Sequence, residues 1–112
     1  MCYQLVFYQR PNGREPVKTF LDGLKQRNKR LFARVYEDIM FLAEAGPNLS
    51  MPDCRFMGNG LYELRSNTGS DIARVFYFFF SGKKIILTNG FIKKTQKTPP
   101  GELERAYRYK KD

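Results

Sequence analysis

The apolar positions change period twice along the chain. Tyr3-Gln4-Leu5-Val6-Phe7-Tyr8 is rich in β-branched and aromatic residues and stops at Pro11-Asn12-Gly13, which predicts a first strand followed by a turn. From Glu15-Pro16 onward, Val17, Phe20, Leu21 and Leu24 fall at i, i+3, i+4 and i+7, the stripe of a short amphipathic helix with Pro16 in its first turn. A second helix is predicted over 28–45, where Leu31, Val35, Ile39 and Leu42 share one face and Gly46-Pro47 supplies the stop. The outer face of this helical hairpin carries Lys25, Arg27, Lys29, Arg30 and Arg34, read here as a solvated surface without chemistry. Residues 47–60 hold two Pro, two Gly and three Asn or Asp and are read as a loop.

The period then becomes that of strands. Leu61-Tyr62-Glu63-Leu64-Arg65 alternates, with Tyr62 and Leu64 on one face and Glu63 and Arg65 on the other. The stretch 72–80 is apolar on both faces apart from Arg74, the mark of a central strand covered above and below. Ser81-Gly82-Lys83 makes a hairpin turn into a last strand, Lys84-Ile85-Ile86-Leu87-Thr88-Asn89-Gly90-Phe91-Ile92. After Thr98-Pro99-Pro100, acidic Glu102 and Glu104 precede basic Arg108, Lys110 and Lys111, the order that a helix dipole prefers. The element order β-α-α-β-β-β-α predicts a single α+β domain over residues 1–112: an N-terminal strand, a helical hairpin, a three-stranded antiparallel meander and a short C-terminal helix.

Composition narrows what such a domain can do. Ten Phe and seven Tyr in 112 residues supply material for a core. An excess of 20 Lys and Arg over 11 Asp and Glu, a formal charge of +9, fits a polyanionic partner such as nucleic acid. Cys2 and Cys54 show no metal-ligand spacing and are expected as reduced thiols, and no apolar run has signal or membrane-spanning length, so the expected location is cytoplasmic. The chain has no histidine. That excludes Ser-His-Asp and Cys-His nucleophiles, His-ligated zinc and a histidine acid/base pair.

Three strings carry a resemblance: Leu61-Tyr62-Glu63-Leu64-Arg65, Ala73-Arg74-Val75-Phe76-Tyr77-Phe78, and above all Gly90-Phe91-Ile92-Lys93-Lys94-Thr95-Gln96-Lys97-Thr98-Pro99. Together they resemble the HigB-like, phage-derived branch of the RelE/ParE toxin superfamily, whose element order matches the one derived above. The resemblance implies the toxin of a type II toxin–antitoxin pair: a metal-independent endoribonuclease, without a cofactor, that cleaves translated mRNA on the ribosome and stops translation and growth. It implies as partner a cognate helix-turn-helix antitoxin encoded beside it. Two other readings stay open: a ParE-like poison of DNA gyrase, and a catalytically inactive relative that only binds nucleic acid.

Cleavage of RNA by its own 2′-hydroxyl requires that a proton be removed, that the charge of a pentavalent phosphate be held, and that the departing oxygen be protonated. Arg and Lys can cover all three, because a guanidinium grips two phosphate oxygens and a crowded Lys loses its proton more readily. Arg74 is the leading candidate, since a cation inside an apolar strand is costly to bury without a reason; pairing with Glu63 is the structural alternative, compatible with facing a phosphate. The resemblance adds Arg65 as a second phosphate-gripping residue. Lys93 and Lys94 are adjacent, so a continuing strand would send them to opposite faces, and spacing does not choose between them as base. Lys97 is a candidate contact along the RNA backbone, and Tyr62 and Phe91 are candidate stacking platforms for a splayed base, with core packing the competing role of Tyr62.

Overall fold

A computed structural model describes residues 3–94 and 97–112. Five strands form one sheet in the order β1-β5-β4-β3-β2. They are β1 (Gln4–Phe7), β2 (Cys54–Gly58), β3 (Leu61–Thr68), β4 (Asp71–Phe80) and β5 (Lys84–Ile92). The helices are α1 (Pro16–Arg27), α2 (Lys29–Ala45) and α3 (Pro100–Lys111). The α+β class and the element order stand as predicted, with one addition. Part of the segment read as a loop is β2, so the antiparallel meander has four strands, β2 to β5, and β1 joins it in parallel against β5.

The two helical stripes do what their spacing requires. Val17, Leu21 and Leu24 of α1 and Leu31, Val35, Ile39 and Leu42 of α2 are buried against Leu64, Ala73, Val75, Tyr77, Ile85 and Leu87 on one face of the sheet. Asn28 divides the helices: its side-chain oxygen accepts from the Leu31 amide at 3.2 Å, capping α2. Gly46 ends α2 with φ of +55°, a conformation that a Cβ disfavours.

α3 covers only part of the other face. Ala106, Leu103 and Tyr107 pack on Leu61, Phe76 and Phe91, and the Tyr107 hydroxyl donates to the Met57 carbonyl at 2.8 Å. β4, third of five strands, therefore has apolar cover on both sides. Beyond Phe76 and Phe91 the same face continues without α3 above it. That end is where the chain places Arg65 and Arg74, with Glu63 and the segment before α3 beside them.

Candidate active site

Register decides which side chains meet. Arg65 of β3 stands directly opposite Arg74 of β4, and Arg74 stands opposite Phe91 of β5. Alternation places Glu63 and Asn67 on the same face as Arg65, so Glu63 lies diagonal to Arg74. The Arg74 Nε is 3.7 Å from the Glu63 Oε1, with the two side chains 3% and 1% exposed. Arg74 Nη1 donates to the Ala73 carbonyl at 2.8 Å and to the Asn67 Oδ1 at 3.2 Å. The second carboxylate oxygen of Glu63 accepts from the Thr98 hydroxyl at 2.9 Å, which brings the segment before α3 back onto the site. Both the pairing with Glu63 and the position beside other cations hold for Arg74.

Two buried donors are left over. The Nε groups of Arg65 and Arg74 have no hydrogen-bond partner among the described residues. Arg65 and Arg74, side by side on one face, both line an open groove, and their guanidinium groups can hold an anion with several acceptor oxygens there.

Lys93 completes the cluster. Its amide donates to the Ile72 carbonyl at 2.8 Å, which carries the β4 pairing one residue past the end of β5. Burial lowers the Lys93 ammonium from its ordinary value, and the charges of Arg74, Arg65 and Arg55 lower it further, against the opposing pull of Glu63. Burial also lowers Arg74, with the charge of Arg65 second; an arginine nonetheless stays charged at any working pH. An open groove of about 720 Å³ is lined by Arg65, Asn67, Asp71, Arg74, Lys93 and Lys94, among others.

The structure thus brings four of the sequence candidates to one groove: Arg65, Arg74, Lys93 and Lys94. Lys93 is half-buried and Lys94 exposed. Phe91 adjoins Arg74 but is 6% exposed, packed on Phe76 at 5.6 Å between ring centres. Tyr62 is on the opposite face, stacked on Tyr77 at 5.4 Å and close to Phe56 and Phe79. Lys97 is exposed and is not among the residues lining the groove. Thr95 and Gln96 of the motif, and Cys2, lie outside the described residues.

Sequence reasoning missed Asn67, Thr98 and Arg55. Arg55 sits opposite Glu63 on β2, and reading residues 47–60 as a loop hid it. The same error misplaced Cys54, which is buried in β2 with its thiol donating to the Leu49 carbonyl at 3.4 Å. Among the described residues, no group of three His, Cys, Asp or Glu side chains gathers as metal ligands would, and no helix is long and apolar enough to cross a membrane.

A family model described as phage derived protein Gp49-like (DUF891) matches residues 19–111, from within α1 to the last residue of α3. The chain belongs to the Gp49-like family. That family is associated with toxins of the RelE/HigB type, and the match spans every residue of the groove. No curated protein matches the chain. In this Gp49-like protein the first two strings fall on β3 and β4, and the third begins on the last residues of β5 and runs on through Lys93 and Lys94, beside the cationic groove.

Proposed function

We propose that this Gp49-like protein is the toxin of a toxin–antitoxin pair and cuts messenger RNA at the groove between β3, β4 and the end of β5. The observation that carries the reading is the Arg65–Arg74 cross-strand pair lining an open groove together with Lys93 and Lys94, with the Lys93 proton loosened. Arg65 and Arg74 hold the non-bridging oxygens of the scissile phosphate, and their fixed charge offsets the charge that grows in the transition state. The Lys93 amine takes the proton of the adjacent 2′-hydroxyl, which attacks phosphorus. The P–O5′ bond breaks, and the Lys94 ammonium on the same rim protonates the departing oxygen. The products are a 2′,3′-cyclic phosphate and a 5′-hydroxyl. Glu63 holds Arg74 in place.

A family associated with RelE/HigB-type toxins also supports a neutralising antitoxin, for which a helix-turn-helix protein encoded alongside is the candidate. Translated mRNA on the ribosome is the proposed target. Expression of the chain without a partner is expected to stop translation and growth, and co-expression of the neighbouring reading frame to restore both. Arg65→Ala is the clean site variant, because Arg65 is half-buried and forms no ion pair among the described residues. Full toxicity in a folded Arg65→Ala protein would remove the groove as the active site.

A further inference from the structure

A second cleft, of about 830 Å³, lies at the sheet edge. It opens where β1 stops pairing with β5 at Leu87, while β5 runs on to Ile92. Arg10 and Arg14 reach it from the loop before α1, Arg27 from the end of α1, and Arg105 from α3. Arg105 is tied to Glu102 at 3.1 Å, but Arg10, Arg14 and Arg27 form no ion pair among the described residues. Arg27 is held over its own helix: its Nε donates to the Gly23 carbonyl at 3.4 Å, and its Nη2 lies 2.7 Å from where a Cβ on Gly23 would be. A glycine inside a helix weakens it; here its bare backbone leaves room for the guanidinium.

The cleft and the candidate active site share one wall. Ile92, 39% exposed, lines both. Beside it Asn28, which lines the cleft, donates to Asp71, which lines the groove, at 3.0 Å. A single ridge, Ile92 with the Asn28–Asp71 bridge, therefore separates Arg65, Arg74 and Lys93 on one side from Arg10, Arg14 and Arg27 on the other.

We infer that the Arg10–Arg14–Arg27 cleft is a second RNA-backbone site, which a strand lying in the Arg65–Arg74 groove enters by crossing Ile92. The inference rests on the proposed function, since that reading puts the RNA in the groove. A strand longer than the reacting step must leave the groove, and the exit over Ile92 leads to three arginines that form no ion pair among the described residues. Such a strand is gripped on both sides of the ridge, so affinity grows with its length. An acidic polypeptide would also meet these charges, but the shared wall with the groove favours one continuous polyanion.

The experiment compares binding of a trinucleotide and a twelve-nucleotide single-stranded RNA to wild type, Arg14→Ala/Arg27→Ala and Arg65→Ala, with polyglutamate as a further probe. Both cleft arginines are exposed, and circular dichroism checks that the double variant is folded. The double variant is expected to bind the long RNA at least tenfold more weakly than wild type and the trinucleotide unchanged. Its salt slope on the long RNA should fall by about 1.4, the effect of two lost phosphate contacts at roughly 0.7 each. Arg65→Ala should weaken both lengths. If the double variant binds both RNAs as wild type does while Arg65→Ala does not, the second site is overturned and the groove stands. If the double variant loses polyglutamate but keeps the long RNA, the cleft belongs to an acidic protein instead. If wild type binds neither RNA, the proposed function falls and this inference with it.

Discussion

Arg65 and Arg74 face each other in register across β3 and β4, a like-charge cross-strand pair at the centre of a sheet face. Such a pair destabilises a sheet. Glu63, 1% exposed and 3.7 Å from Arg74, is the counter-charge that lets the pair persist. The three groups should therefore be coupled in stability. Arg74→Ala strands a buried carboxylate and Glu63→Gln strands two facing guanidinium groups, each costing about 3 kcal/mol. The double variant should cost about 2 kcal/mol less than the sum of the singles, read as a double-mutant cycle in urea. Strict additivity would show that the pair is incidental.

The lowered Lys93 gives a pH profile. Its folded value lies below the ordinary 10.5, so the neutral amine forms at lower pH than on a free lysine. Cleavage should rise with pH along a limb below 10.5, and Lys93→Arg should abolish that limb. Arg55→Ala, which removes one of the charges lowering Lys93, should move the limb to higher pH. Stability follows the same sign: the unfolded chain holds that proton more tightly, so between the folded value and 10.5 stability rises with pH. A flat rate profile in wild type contradicts the assignment of Lys93 as base.

Tyr8 ties β1 to the end of α3 by donating to Asp112 and by stacking on Tyr109 at 4.5 Å. Its phenol is pushed up to about 12, by burial first and then by the hydrogen bond to Asp112. The folded state favours the protonated phenol, so this contribution is complete below the ordinary 10.0 and is lost as pH rises toward about 12. Thermal melts should show a wild-type advantage over Tyr8→Phe at pH 8 that shrinks above pH 10. Lys93 titrates in both proteins and cancels from the comparison.

Gly46 tests the end of α2. Its φ of +55° disfavours a side chain, and an added Cβ would meet the Tyr3 ring. Gly46→Ala should lower stability by about 2 kcal/mol, measured by urea denaturation, without changing RNA affinity. A neutral result would show that the helix end adapts.

What the sequence disclosed tracks how local each signal is. The stripes of α1 and α2 and the apolar run of β4 were legible because burial imposes a period on consecutive residues. β2 was not: Cys54-Arg55-Phe56-Met57 is short and stands between Pro52-Asp53 and Gly58-Asn59-Gly60, so turn chemistry masks its alternation. Arg74 announced itself as a lone charge in an apolar strand. Its partner Asn67, and Thr98, which donates to Glu63, could not, since a hairpin and the approach to α3 bring them to the site only in the fold. Arg27 shows the converse. It reads as one more solvated charge of a helix face, and only the packing of α1 beside β5 turns it toward a cleft.

The central claim is that the Arg65–Arg74–Lys93 groove cuts RNA through the 2′-hydroxyl, and mapping of 5′-hydroxyl RNA ends in cells expressing the chain tests it most directly. The account predicts new 5′-hydroxyl ends within translated messages, absent when folded Arg65→Ala is expressed. Growth arrest with intact messages and gyrase-linked DNA breaks, or the same ends from Arg65→Ala, would contradict it.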